Sequence, residues 1–434
     1  MRPMDSNAQA RPVPSPAPTA TPVTAYAPGT GADPGAWGAH DPTVIRSRDG
    51  RYYMFSTDTE VAGSPGVGVQ VRRSDDLLHW QWVGHAFDGV PASAEQWSGA
   101  QGIWAPDVVE RDGEYRMYYS ASTFGSRRSC INLAVSASLE GPWTDLGPVV
   151  RTRAEDPVNA IDAAIVRTAE GTDLMLYGSF FGGLRLIALD ERGLPRRPGD
   201  LGVPVSRRTT AHNGPIEGSH MWYDAETGRY LLICSFDSLF DTYNIRAARS
   251  EHPEGPFLDA AGRRLGSQEG DIVDGGTKIL GSLVTTSGET ELAPGHSNHL
   301  VTPDGMLLVH HVRTGADPER HRAQLRRMAL TSAGWPVVSP VEYDALPLLP
   351  LDGAALDGPW RVWRMDTGST RPATPSAHAV HLGALLPTPA EQGGARATLD
   401  VDGRAVDAVV WRTQASTAFA GLERDEVVLG VRAE

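Results

Sequence analysis

Lysine is almost missing from this chain. The 434 residues contain one, Lys278, among 39 basic residues, a bias that reads as a GC-rich coding sequence and points to no mechanism. Cysteine is nearly as scarce. Cys130 and Cys234 are too few for a disulfide framework or a zinc site, and a bridge between them is not expected. No apolar run reaches the roughly 18 residues that a membrane span needs. The N-terminus lacks the apolar core of a secretion signal, although "NAQA" at 7–10 resembles the small-residue end of one. Positive charge is in deficit too: the formal net charge is −14, which argues against a nucleic-acid partner and leaves neutral or cationic substrates open. Helical periodicity is nearly absent.

What remains is an ordinary soluble composition, 40 % hydrophobic and 21 % charged, on a chain long enough for a sizeable core. Residues 1–30 ("RPVPSPAPTATPVT" within them) are rich in Pro, Ala and Thr. Such a leader cannot bury enough apolar area to fold alone and is expected to be disordered. A repeat follows. "RDGRYYMFSTD", "RDGEYRMYYSAS", "AEGTDLMLYGSF", "TGRYLLICSF" and "PDGMLLVHHVR" each place a glycine before an apolar, aromatic strand. The glycines are Gly50, Gly113, Gly171, Gly228 and Gly305, spaced by 63, 58, 57 and 77 residues. A glycine there suits a hairpin turn that needs positive φ. Five β units restarting at near-even intervals predict a propeller more readily than a sandwich. The fold class expected is therefore all-β. A five-bladed β-propeller spans 31–344, and a smaller C-terminal β-barrel or sandwich spans 345–434.

One polar residue precedes each turn glycine. Asp41, Asp107, Asp162, Glu217 and His296 stand 9, 6, 9, 11 and 9 residues ahead of it. Any one of them reads equally well as a strand-end residue. Five at matched offsets place one group per blade at the start of the innermost strand, facing a central channel. Carboxylates gathered there need solvent, a cation or a function. Paired carboxyls, one activating water and one protonating a leaving oxygen, are the requirement of glycoside hydrolysis.

Other signals are weaker. "GSFFGG" at 178–183 lacks the lysine and spacing of a phosphate loop and reads as a place where backbone approaches a sugar. His310 and His311 point to opposite faces of a strand, so at most one faces the channel. "ERHRAQLRR" at 319–327 reads as a solvated strand or turn.

The stretches "HDPTVI", "GIWAPDVV", "NAID", "YGSFFGGLRLIALD", "IEGSH", "YNIRAARSEHPEGPFLDAAG", "PGHSNHLVTPDG" and "GWPVVSPVEY" run in order over about 38–343. With them the chain resembles glycoside hydrolase family 43, specifically its extracellular endo-α-1,5-L-arabinanases. The tail "WRT…STAFAGLERDEVVLG" resembles the C-terminal β-barrel of the larger members. The resemblance implies inverting cleavage of internal bonds in arabinan, with Asp41 as general base, Glu217 as general acid and Asp162 as modulator and orienter of the acid. It implies that Trp104 and Phe124 offer aromatic surface to sugar, that Asn159 and Ser179 hydrogen-bond sugar hydroxyls, and that His296 holds a calcium ion mostly through water. The same fold also carries exo-acting arabinofuranosidases and xylosidases, and a silent carbohydrate-binding propeller is the alternative outside enzymes. Ala163 stands where the family usually has proline, and "GHSN" where it has "GHNS". The expected partner is a polysaccharide, arabinan or pectin side chains, with no nucleic acid, no membrane and a monomeric chain. The substrate class implies an extracellular site of action, although no signal peptide is read in the chain and a cytoplasmic one is left open.

Overall fold

The computed structural model describes residues 34–434 except 62–63, 66, 210–213, 268–273, 352–355, 357, 386–392 and 434, together with 20–21 and 24–25. Most of the leader therefore lies outside the described residues. Its two strand pairs, Ala20–Thr21 and Thr24–Ala25, add to the outer edges of the second and first blades.

Five antiparallel sheets follow one another along the chain, each running in sequence order outward from its innermost strand, with a short strand, Leu283–Val284, added beside the innermost strand of the fifth. The innermost strands are His40–Arg46, Trp104–Arg111, Ala164–Arg167, Ile216–Asp224 and Thr290–Thr302. All five turn glycines take positive φ, from 64° at Gly228 to 119° at Gly305. The ring closes where the backbone of residues 36–38 pairs with the fifth blade: Gly38 N–H donates to His321 O (2.8 Å) and Ala323 N–H to Ala36 O (3.0 Å). One helix is found among the described residues, Ala92–Ser98, and no described helix is long and apolar enough to cross a membrane.

The strands are apolar on both faces because each blade packs against two others. The core is accordingly a ring of inter-blade clusters. Phe55, Val71, Met117 and Trp143 join blades one and two, and Ile131, Met175 and Tyr177 join two and three. Leu176, Leu232 and Phe257 join three and four, while Val44, Met54 and Val309 join five to one. The cluster between blades four and five does not stop at the propeller. It runs from Ile233, Leu308 and Val337 into Trp363, Trp411 and Leu429 of the C-terminal domain.

That domain is a closed six-stranded barrel, from Pro359–Met365 to Glu426–Arg432, with its own apolar centre around Trp360, Leu399 and Phe419. Polar contacts lock it to the propeller. Arg396 forks onto Glu226 at 2.6 and 2.9 Å, and Trp363 Nε1 donates to Val284 O (2.8 Å). The one lysine is here as well: Lys278 Nζ donates to the carbonyls of Asp366 (3.1 Å) and Ser369 (2.5 Å). Burial, with Arg246 close by, lowers its pKa to about 8.

The basic stretch 319–327 corrects its expected reading. It belongs to the strand Asp317–Leu330, fourth of the fifth blade's five, and Arg326 and Arg327 are 1 % and 6 % exposed. Arg326 is sheltered because it ion-pairs with Glu291 and donates to Gln324 and Ser339. Both cysteines are free and buried.

Replacing Lys278 by Ala strands two carbonyls in the domain junction and leaves a void. It is expected to destabilise the chain by about 2–4 kcal/mol, read as a fall in melting temperature. An unchanged melting curve would mean that the lysine does not brace the barrel.

Candidate active site

At the top of each innermost strand a residue adopts left-handed backbone: Asp41 (φ 49°), Ala105 (42°), Asp162 (60°), Gly218 (54°) and His296 (45°), the fifth strand having a second at Ala293 (51°). In four of the five blades the ladder changes register beside that residue. Such conformations cost about 1–3 kcal/mol in non-glycine residues and persist only where the surroundings hold them. Their effect is to turn side chains out of the pleat and into one cavity of about 860 Å³ lined by Asp41, Asp162, Glu217 and His296.

Asp41 is the most heavily supported of the acids. Its Oδ2 accepts the Thr57 hydroxyl (2.6 Å), and its Oδ1 lies 3.3 Å from His40 Nε2 and 3.3 Å from His296 Nδ1. Its N–H donates to His311 Nδ1 (3.2 Å). Burial by itself would raise the carboxyl; the two imidazoles and the threonine outweigh it and hold the pKa below 3.8. Burial also drives His40 toward the neutral ring, so its help is an N–H dipole more than a full charge.

Glu217 has the opposite setting. Ser179 donates to Oε2 (2.5 Å) and Tyr243 to Oε1 (3.1 Å), but burial, reinforced by the charge of Asp41, raises its pKa to about 7. Asp162 is raised as well, by burial first and then by the charges of Glu217 and Asp41, against the pull of His296. Its Oδ2 accepts Gly218 N–H (3.1 Å), which ties it to the backbone next to Glu217. Repulsion between these two carboxyls favours a neutral-range state in which one of them keeps a proton.

Two glycines give this arrangement room. A Cβ on Gly218 would come within 3.0 Å of the His296 ring, at a φ that side chains rarely adopt. A Cβ on Gly295 would fall 1.9 Å from the Tyr243 ring, so the tyrosine reaches Glu217 because nothing projects from that position.

The other sequence-named residues are distributed as follows. Trp104, Phe124, Asn159 and Ser179 all line the cavity. Phe124 is 79 % exposed. Asn159 is held by the Ser129 hydroxyl (2.6 Å), and the Ser179 hydroxyl is turned to Glu217. Asp107 serves the frame: it accepts Ile165 N–H (2.7 Å) and the Thr43 hydroxyl, linking blades one, two and three. His311 faces Asp41 while His310 is buried against a backbone carbonyl. Residues that the pattern did not single out include Thr57, Tyr243 and Phe240. Thr57 and Tyr243 lie inside quoted motifs but not at the matched offset.

A cation's donor set can be checked against the same geometry. With Nδ1 turned to Asp41, His296 has Nε2 left to offer, and it belongs to no group of three or more His, Cys, Asp or Glu ligands among the described residues. These residues fit an ion carried mostly by water. His40, His311 and His321 do bring ring nitrogens within 4.8 Å of one another. However, the His40 and His321 rings stack at 3.9 Å and 25°, which leaves their in-plane lone pairs nearly parallel instead of convergent.

A family model described as glycosyl hydrolases family 43 matches residues 36–336. The chain belongs to that family. It is 31 % identical over 347 residues to an extracellular endo-α-(1→5)-L-arabinanase of Thermotoga petrophila, covering 70 % of this chain and 71 % of the relative. It is 30 % identical over 333 residues to an extracellular exo-α-(1→5)-L-arabinofuranosidase of Cellvibrio japonicus, covering 70 % and 88 %. The crystal structure of endo-1,5-α-L-arabinanase from Thermotoga petrophila superposes with a TM-score of 0.76 at 26 % identity, covering 92 % of this chain and 99 % of that one. The all-β propeller with its barrel is thus a family-43 glycosidase of the arabinanase type.

Gly295→Ala is expected to push Tyr243 away from Glu217 and to destabilise the fold by about 1–3 kcal/mol. Thermal unfolding together with a structure of the variant would check it. A variant with Tyr243 in place and native stability would contradict the packing argument.

Proposed function

We propose that the chain is an inverting endo-acting arabinanase that cleaves internal α-1,5-L-arabinofuranosidic bonds. The observation that carries the reading is the opposite setting of two carboxyls in one cavity, Asp41 held below 3.8 and Glu217 raised to about 7. At near-neutral pH Glu217 holds a proton and Asp41 does not. Glu217 gives its proton to the leaving glycosidic oxygen as the bond to the anomeric carbon breaks. Asp41 takes a proton from water attacking that carbon from the other face, so configuration inverts. Asp162 contributes negative charge that favours the protonated acid and fixes the backbone beside it. A calcium ion held at His296 through its water shell would add positive charge next to Asp41 when bound. Trp104 and Phe124 give apolar faces for sugar rings. The extracellular names of the relatives support action outside the cell.

Exo action is the second reading, and one observation favours it. Phe124 on the second blade and Phe240 on the fourth meet across the cavity, ring centroids 6.5 Å apart, and cover part of the groove. Products from linear debranched arabinan decide: early oligosaccharides of several lengths support endo cleavage, and one short product from the outset overturns it. The anomer released first, followed by proton NMR, should be the inverted one.

Three further outcomes are expected. Glu217→Ala should abolish arabinan cleavage yet spare more activity on an aryl arabinoside with an acidic leaving group. Asp41→Ala should damage both, with partial rescue by azide; equal, unrescued losses would refute the assignment. Activity should rise as Asp41 loses its proton, at a pH below 3.8, and fall near pH 7 as Glu217 loses its own. Since Tyr243 stabilises the ionised form of Glu217, Tyr243→Phe should move the alkaline limb upward; a downward shift would count against the hydrogen bond's role. Prolonged chelation should lower melting temperature and activity, calcium should restore both, and His296→Ala should remove the response.

A further inference from the structure

Many arginines of this acidic chain are matched to carboxylates, as in Arg111–Asp173 (2.7 Å), Arg322–Glu342 (2.7 Å) and Arg396–Glu226 (2.6 Å). A group beside the cleft is not. The Cζ atoms of Arg128, Arg151 and Arg153 lie 5.7, 4.9 and 5.3 Å from the centre of the Trp97 ring. Next to them, Arg127 lies over Phe181, 5.0 Å from the ring centre. None of the four has a carboxylate within 4.0 Å among the described residues. Their side-chain hydrogen bonds among the described residues go to backbone: Arg127 to Asp156 O (2.9 Å) and Arg128 to Trp97 O (2.6 Å). Asp156, which follows in the chain, caps the Arg153 backbone N–H (2.7 Å).

The platform is rigid. Trp97 sits on the helix Ala92–Ser98, and its Nε1 donates to Ser129 O (3.0 Å) and Thr152 O (3.3 Å), so the indole plane is fixed from the strands that carry the arginines. A guanidinium stacked on an aromatic face keeps its in-plane N–H groups for a ligand, and their fork matches a carboxylate. Arg128, Arg151 and Arg153 are exposed. Three like charges around one ring repel one another, and an anion laid across them would relieve that repulsion. The patch also adjoins the cleft: Arg127 and Arg128 directly follow Phe124, Gly125 and Ser126, which line the cavity, as does Phe181.

We propose that Arg128, Arg151 and Arg153, arrayed on Trp97, form a second polysaccharide site that takes the uronate carboxylates of an acidic chain, a polygalacturonate. The choice of a polyuronate rests on the arabinan reading of the cleft, in which arabinan is expected as side chains of pectin, a galacturonate-containing polymer. The site would anchor the enzyme on the charged main chain while the neutral branch enters the cleft. A net charge of −14 disfavours nucleic acid as the occupant of the same arginines.

The test is direct binding of the full chain to polygalacturonate, at about 20 mM and about 300 mM sodium chloride, with a fully methyl-esterified polymer as the neutral control. The expected result is retention on the acid polymer at low salt, loss at high salt and none on the ester. The triple variant R128Q/R151Q/R153Q should bind at least about tenfold more weakly while hydrolysing neutral linear arabinan as the parent does. If the triple variant melts early, R153Q alone, a side chain with no hydrogen bond to lose, should weaken binding about threefold. Absence of binding by the parent, equal binding of the ester, unchanged binding by the variants, or tighter binding of duplex DNA than of polygalacturonate would overturn the proposal. Polyuronate binding with no arabinan hydrolysis would support this site and fall on the proposed function instead.

Discussion

Everything at the propeller axis depends on keeping carboxyl groups out of water. A buried carboxylate is expensive unless something compensates it, and the expense is large enough to change its protonation. Here three are brought to one cavity, and the surroundings divide them. Asp41 receives imidazole and hydroxyl partners on both oxygens. Glu217 and Asp162 are left with mutual repulsion and fewer compensating donors. One group is thereby kept ionised and a proton is retained nearby, which is the condition that acid–base cleavage of a glycosidic bond requires.

The backbone makes this division possible. A regular strand would alternate its side chains between two blade interfaces and send none to the axis. A left-handed residue near the start of each innermost strand breaks that alternation in all five blades. The strain is borne by the inter-blade clusters below it, and the cluster between blades four and five extends into the barrel. Trp363, Arg396 and Lys278 therefore stabilise the two blades that carry Glu217 and His296. The barrel shares a core with the catalytic unit and is not a loosely tethered attachment.

Much of this was legible in the sequence because it repeats. The turn glycines fall where positive φ is needed, and the matched offsets of Asp41, Asp162 and His296 correspond to the three polar left-handed positions. Glu217 deviates in offset by two residues, and the structure accounts for one of them: its blade assigns the left-handed position to Gly218, so the acid projects from the residue before. Asp107 has the shortest offset and lies two residues past its blade's left-handed Ala105, where it accepts backbone and hydroxyl hydrogen bonds instead of entering the acid set. What periodicity could not reveal were contacts made across blades. Tyr243 reaches Glu217 over a glycine from another blade, and His311 meets Asp41 from 270 residues away. The burial of Arg326 was equally hidden, since a basic run looks solvated until its Glu291 partner is known.

The central claim, that Asp41 and Glu217 hold opposite protonation states in one cavity, is open to a carboxyl titration by carbon-13 NMR of the Asp- and Glu-labelled chain. The account predicts one carboxyl with a midpoint below 3.8 that disappears in Asp41→Asn, and two raised to about 7, from Glu217 and Asp162, one of which disappears in Glu217→Gln. In the second variant Asp162 should titrate lower, because its charged neighbour is gone. Normal midpoints for both Asp41 and Glu217, within the ordinary carboxylate range, would contradict it.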